Sequence, residues 1–310
     1  MRLKLNFSLN NKSAFSLIEL SIVILVIGVL IAGVVTGSKM VAKAKIAMAA
    51  NQTKSSVVPG LKDLIFWIET SSTGSVIGSN AADSAPFDGD TVSKWNDINP
   101  QSMSKINPVP LAGGESPKYK ENGINGLPSI LFDAADDRLV ASGISVTRSN
   151  SVFAVFKSSP NPANFRRDIV AITMPWCCGS AVHGILLELN GRVRSVYKNP
   201  IGVGDDFNSS AISENKNYII SSVRNYDTLS QKVWLNNSII INAAATLGDF
   251  NDPRQSVTVG NLHHGVGAGG TGRPLNGQIS EIIIYNRALK QDEIDDVEAY
   301  LSKKYSISLN

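Results

Sequence analysis

The chain has 310 residues, enough for one large domain or two ordinary ones around a substantial core. Hydrophobic residues make up 43% and charged residues 18%, which excludes both a disordered chain and a protein that crosses a membrane many times. The net charge of +3, from 29 basic and 26 acidic side chains, is too small to mark a nucleic-acid binder. Two cysteines and three histidines exclude a zinc-cluster or disulfide-dense scaffold.

Residues 1–14 are polar and basic, with Arg2, Lys4 and Lys12 and no acid. From Leu17 to Val35 the chain is almost wholly apolar. As a helix, that stretch of about 19 residues covers ~28 Å, close to the hydrocarbon thickness of a bilayer, and reads as one membrane span. Two plainer readings compete: an uncleaved signal anchor, and a cleaved secretory signal, whose apolar region is shorter at about 7–15 residues. Counting basic residues does not orient the span, because Arg2, Lys4 and Lys12 precede it while Lys39, Lys43, Lys45 and Lys54 follow. Neither plain reading explains Glu19. An ionised carboxylate costs about 3 kcal/mol at the centre of a span, less near an end, and such residues usually have a partner.

The run Lys12-Ser13-Ala14-Phe15-Ser16-Leu17-Ile18-Glu19-Leu20, leading into the apolar stretch, resembles the type IV prepilin signal. The resemblance implies cleavage by prepilin peptidase on the cytoplasmic side between Ala14 and Phe15, followed by methylation of the Phe15 amine. It also implies an assembly role for Glu19, which attracts the free amine of a neighbouring subunit. Both charges would lie in a filament core, where each needs an opposite charge. Two departures stand out: Ala14 occupies a position usually held by Gly, so slower processing is expected, and the leader is longer than in many pilins. Past the span, Lys39 to Asn51 is rich in Ala, Lys and Met, and the helix is expected to continue to about Lys54. Val57-Val58-Pro59-Gly60 then stops it. The expected division is a leader at 1–14, a transmembrane and assembly helix at 15–58, and a separate domain at 61–310.

From Leu61 onward, Gly, Asn and Ser punctuate short runs of Val, Ile and aromatic residues. Gly184–Leu189 and Arg192–Tyr197 flank Asn190-Gly191, a strong hairpin signal, and Lys232–Leu235 and Ser238–Ile241 flank Asn236-Asn237. Ser129–Phe132, Ser151–Phe156, Asp168–Ile172, Tyr218–Val223, Ser256–Gly260 and Gly277–Tyr285 read as further strands. No helix-period segment separates them, so an all-β sandwich is expected rather than a parallel α/β sheet. Ile294, Val297, Leu301 and Tyr305 fall on one face of a terminal helix, Asp292–Lys304, expected to cap one edge of the sandwich. The fold class is therefore a long N-terminal α-helix, an all-β jelly-roll sandwich and a short C-terminal helix.

Leu64–Trp67, Val92–Asp97, Asn122–Pro128 with Phe132-Asp133 and Asp136-Asp137, and Leu275–Leu289 running into Glu293-Ile294 and Tyr300-Leu301 are similar to laminin-G-like, concanavalin-A-like jelly rolls of bacterial surface proteins. That scaffold carries lectins, adhesion modules and glycosidases alike, so it does not name an activity.

Candidate sites follow from residue chemistry. Glycosidases on this scaffold pair carboxylates a few residues apart on one strand. Glu188 and Glu281 each stand alone, and no Glu-x-Asp-x-Glu pattern occurs, so no catalytic residue is assigned and the chain is read as not an enzyme. Asp88, Asp90 and Asp97, or Asp133, Asp136 and Asp137, offer oxygen ligands for calcium, against the plainer reading of Asp-rich turns, which also covers Asp205-Asp206. No other cofactor is expected. Gly267–Gly272 fits a dinucleotide-binding pattern in letters only, because a strand follows it in place of a helix. His263 and His264 beside it, and Trp176, are weak ligand-binding candidates. Cys177-Cys178 reads equally as buried thiols, a strained vicinal disulfide, or a link to another subunit.

The function expected from these features is a type IV pilin-like subunit, minor or at the tip because its head is large beside a thin helical core. It would sit in the inner membrane before assembly and in an extracellular filament or periplasmic pseudopilus afterwards. Its partners would be prepilin peptidase, other pilin subunits and a glycan or host surface, with no nucleic acid. The competing readings are a pseudopilin of a type II secretion system and a membrane-tethered enzyme acting on polysaccharide.

Overall fold

The computed structural model describes residues 16–80, 86–111, 116–160, 166–173, 181–188, 190–198, 204–245, 255–261 and 273–310. The chain divides into two compact units, Met1–Ala44 and Lys45–Asn310.

Helix α1 (Leu17–Lys54) starts after Ser16, which caps its first turn. The Ser16 hydroxyl accepts from the Ile18 amide at 3.4 Å, and the Glu19 carboxylate accepts from the Ser16 amide at 2.9 Å. Every α1 residue up to Lys45 is exposed, and the apolar stretch has a mean hydropathy of 2.9, enough in length and composition to cross a membrane. The last turns of α1 belong to the second unit, where Ala49 and Thr53 are buried. A 3-10 turn, Val58–Gly60, ends the helical segment at Pro59.

The described strands are β1 (Leu64–Glu69), β2 (Val76–Gly78), β3 (Val92–Trp95), β4 (Lys118–Lys120), β5 (Ser129–Asp133), β6 (Leu139–Ile144), β7 (Asn150–Ser158) and β8 (Arg167–Thr173), continuing with β9 (Ala181–Leu187), β10 (Arg192–Lys198), β11 (Gly204–Ala211), β12 (Asn217–Asn225), β13 (Ser230–Leu235), β14 (Ser238–Ala244), β15 (Gln255–Val259) and β16 (Asn276–Tyr285). One sheet runs β14-β13-β12-β7-β16-β5-β4, with β1 also paired to β16. The other runs β11-β10-β9-β8-β15-β6, and β2-β3 forms a short ribbon. The ladders are antiparallel, as short connections require. Both expected hairpins are present, and Asn236 (φ 48°) and Asn237 (φ 66°) adopt the left-handed conformations of a tight two-residue turn.

Strand periodicity sorts side chains into two cores. Between the sheets lie Phe66, Ile68, Trp95, Phe132, Phe156, Ile185, Val193, Val257, Ile282 and Ile284. Residues of the other parity, including Trp67, Phe153, Val155, Ile219, Trp234, Ile283 and Tyr285, form a second core on the outer face of the larger sheet. Helix α2 (Gln291–Tyr305) covers that face with Ile294, Val297, Leu301 and Tyr305, and Ala49 joins the same cluster. The terminal helix thus lies across a sheet face instead of capping an edge. The large sheet presents apolar residues to both sides, and only a helix layer hides its outer side from water.

Candidate functional site

Four places in the described residues carry chemistry. At the N-terminus, Glu19 is exposed and its carboxylate accepts from the Ser16 amide. The cleavage pair Ala14 and Phe15 lies outside the described residues.

The second place is sealed beneath α2. Lys304 is fully buried, with Nζ 2.9 Å from Glu69 Oε2 and 2.8 Å from Glu281 Oε2, and both carboxylate side chains are fully buried too. The ammonium also donates to Thr53 Oγ1 at 2.7 Å. Glu281 further accepts from Trp67 Nε1 (2.8 Å), the Tyr300 hydroxyl (2.8 Å) and the Tyr305 hydroxyl (3.0 Å). Glu69 is held by the Ser71 amide (2.6 Å), the Ser71 hydroxyl and the Ser72 amide (2.8 Å). Burial alone raises the Glu69 carboxyl, but the Lys304 charge and these hydrogen bonds outweigh it and bring the group to about 2. The same burial, with the Glu281 charge nearby, pushes the Tyr300 and Tyr305 hydroxyls well above the usual range. Thr53 brings the end of α1 into this cluster. Around it, the Lys45 ammonium donates to the Asn125 carbonyl, Tyr285 OH donates to Val58 O at 2.9 Å, and Gln101 Nε2 donates to Pro59 O and Leu61 O.

The third place is a polar cleft of about 330 Å³ on the outer face of the smaller sheet, lined by Arg166, Glu188, Asn190, Arg192, Arg194 and Asp206, with Asn208 beside them. Arg194 donates to Glu188 at 2.5 Å and grips Asp206 with two nitrogens, while Arg166 reaches the other Glu188 oxygen at 3.1 Å. Burial raises the Glu188 carboxyl, but the two guanidiniums more than offset it and hold the group below its ordinary value. Arg192 is exposed at the rim, and no described carboxylate pairs with it. The antiparallel pairing of β9, β10 and β11 sets these side chains on one face.

The fourth is the acidic turn after β5. Carboxylate oxygens of Asp133, Asp136 and Asp137 all lie within 4.8 Å of one another. Asp137 accepts from the Asp133 amide at 3.0 Å. Burial first, and then the neighbouring Asp133 and Asp136 charges, push Asp137 up to about 7 despite that bond. Asp88 and Asp90 do different work. Asp88 accepts from Lys120 Nζ (3.0 Å) and the Glu121 amide (2.8 Å), and Asp90 accepts from the Phe87 amide (2.9 Å) and Asn80 Nδ2 (2.6 Å). Asp97 ties β1 to the loop after β3 by accepting from the amides of Trp67, Asn99 and Ile106. Asp205 points inward to a buried ion pair with Arg224 at 2.6 Å, and Asp206 points outward to Arg194.

Trp176, Cys177, Cys178, His263, His264 and Gly267–Gly272 lie outside the described residues. Sequence reasoning placed Glu281 correctly as a residue of the last strand but missed Glu69, Lys304 and the arginines of the cleft. A signal existed for Lys304: it follows Val297 and Leu301 at i+7 and i+3, in phase with the buried face of its helix.

The fold defines a class, an antiparallel β-sandwich in a chain with an N-terminal membrane-length helix. Solved structures agree on the fold. Trypanosoma rangeli sialidase in complex with 2,3-difluorosialic acid matches with a TM-score of 0.52 and 13% identity, over 78% of this chain and 33% of that one. The binding domain of Paraclostridial Mosquitocidal Protein 1 matches with a TM-score of 0.52 and 13% identity, over 76% of this chain and 52% of that one. This chain spans about a third to a half of the length of these two structures, and at that identity the likeness is one of fold. No curated protein matches the sequence. The particular mark is at the N-terminus. The family described as the prokaryotic N-terminal methylation motif matches residues 9–35, the segment holding Ala14, Phe15 and Glu19. The chain therefore carries a type IV pilin-like N-terminal motif ahead of a β-sandwich head.

Proposed function

We propose that this protein is a minor or tip subunit of a type IV pilus-like filament, which assembles through α1 and displays its sandwich for adhesion to a surface glycan. The observation that carries the proposal is the methylation motif at residues 9–35, set at the start of a membrane-length helix and followed by a head of over two hundred residues. In this reading prepilin peptidase cuts between Ala14 and Phe15, the inner membrane holds the subunit by α1, and Glu19 exchanges its own capping amide for the amine of a neighbouring subunit. The exchange is favourable because a charged donor bonds a carboxylate more strongly than a neutral one. Mass spectrometry of the mature chain tests it: a methylated Phe15 terminus is expected, and an intact Met1 terminus refutes the filament reading. Glu19→Val is expected to insert into the membrane normally and to be lost from sheared fibres. Labelled heads on surface fibres support a pilus, and heads confined to the periplasm support a secretion pseudopilus.

The cleft between Arg166 and Asp206 is the glycan site in this proposal. Its guanidinium forks, carboxylates and amides offer the mixed donors and acceptors that sugar hydroxyls need, and three arginines against two carboxylates favour an anionic sugar. Arg192 stands at the rim with no described ion pair to lose, so Arg192→Ala is expected to leave the fold intact and to weaken binding on a glycan array by about tenfold. Binding unchanged by the substitution moves the site elsewhere. We also propose the Asp133, Asp136 and Asp137 cluster as a calcium site, since a divalent cation relieves the mutual repulsion of three close carboxylates.

A further inference from the structure

The cluster beneath α2 has the composition of a reaction site as well as of a clamp. We propose that Lys304 and Glu281 condense to an intramolecular isopeptide bond, with Glu69 as the proton carrier.

Three observations support this. The reacting groups meet: Lys304 Nζ lies 2.8 Å from Glu281 Oε2, one bond from the carbon to be attacked. The charges are costly where they sit: one ammonium and two carboxylates are all fully buried in a dry interior. Condensation leaves the net charge as it is but replaces two desolvated charges with one neutral amide, and the Glu69 carboxylate keeps its bonds to Ser71 and Ser72. Finally, Trp67 Nε1 and the Tyr300 and Tyr305 hydroxyls all donate to the two oxygens of Glu281, the arrangement that steadies a tetrahedral oxyanion. Glu69 is the carrier and not the electrophile because two backbone amides and a hydroxyl fix it as a carboxylate.

The step balances without any further reactant. A proton moves from the Lys304 ammonium to Glu281, giving an amine and a carboxylic acid. The nitrogen lone pair attacks Glu281 Cδ, and the carbonyl π pair moves onto oxygen. Glu69 takes a proton from the nitrogen and returns it to the departing hydroxyl. The C–O bond breaks, one water leaves and an amide remains. Burial then keeps out the water that hydrolysis would need. The bond would join β16 to α2 covalently and hold closed the layer that contains Thr53.

Mass spectrometry of the denatured full chain tests the proposal. The expected mass is lower by one water than the sequence of the mature chain requires. Trypsin does not cut after an acylated lysine, so digestion is expected to give Lys304–Asn310 as a branch on the peptide carrying Glu281. A full mass, with linear peptides cut after Lys304, overturns the bond. Glu69→Gln keeps both reacting groups and is expected to slow the appearance of the branched peptide after synthesis by about a hundredfold. An unchanged rate overturns the carrier role of Glu69.

Discussion

Glu298 offers a quantitative test of the helix layer. Its side chain is buried on α2 against β12, accepting from the Ser221 hydroxyl, and one of its oxygens has no described partner. Burial, with the Asp295 charge nearby, pushes the carboxyl from 4.5 to about 7, against the bonds from Ser221 and the Asn237 amide. An acid whose pKa rises on folding binds more protons folded than unfolded between those two values, so stability falls as pH rises from about 4.5 to about 7 and is then level. The shift of roughly 2.5 units corresponds to a loss of about 3 kcal/mol by pH 8. Glu298→Gln keeps the shape and removes the charge. Urea unfolding of residues 45–310, followed by tryptophan fluorescence, should show the variant ahead by less than about 1 kcal/mol at pH 5. At pH 8 the variant should be more stable by about 3 kcal/mol. Asp137, pushed up to about 7, and His183, brought down to about 3 by burial and the Arg224 charge, also make stability pH-dependent. Both are present in parent and variant, so they cancel in the difference. A gap that is the same at pH 5 and pH 8 refutes the reasoning.

Two further outcomes follow from geometry. At Gly277, on the central strand β16, a Cβ would sit 2.3 Å from the backbone carbonyl oxygen of Lys157, so Gly277→Ala must push β16 from β7. A loss of about 3 kcal/mol or more is expected in the same unfolding assay, and a loss below about 1 kcal/mol would contradict the packing described. Calcium at saturating concentration is expected to raise the Tm by about 5 °C, chelator to reverse the rise, and Asp136→Asn to remove most of it. Equal melting with calcium and with chelator would dismiss that site.

What the sequence made legible was mostly local. The Asn190-Gly191 and Asn236-Asn237 hairpins were readable because turn residues carry their own backbone preference, and β16 because a run of β-branched isoleucines favours a buried strand. The processing motif was readable because its spacing is fixed within a few residues. The Lys304 cluster was not, since its members come from positions 53, 69, 281 and 304, and a charged residue near the end of a surface helix ordinarily reads as solvated. The orientation of α2 was missed for a related reason. Periodicity identifies which face is buried, but only the double-sided apolar pattern of β7 and β16 says what it is buried against. The Arg166–Asp206 cleft depends on three strands coming into register, which no single segment records.

The pairing of β1 with β16 joins the beginning of the head to its end: Trp67 donates to Glu281 across 214 positions of sequence. Until the last strand and the helix after it have emerged, β1 has no strand partner in its sheet. Contacts of such long range form slowly, because the chain entropy lost in closing the loop comes before any gain. The head therefore completes only once β16 and α2 have joined it.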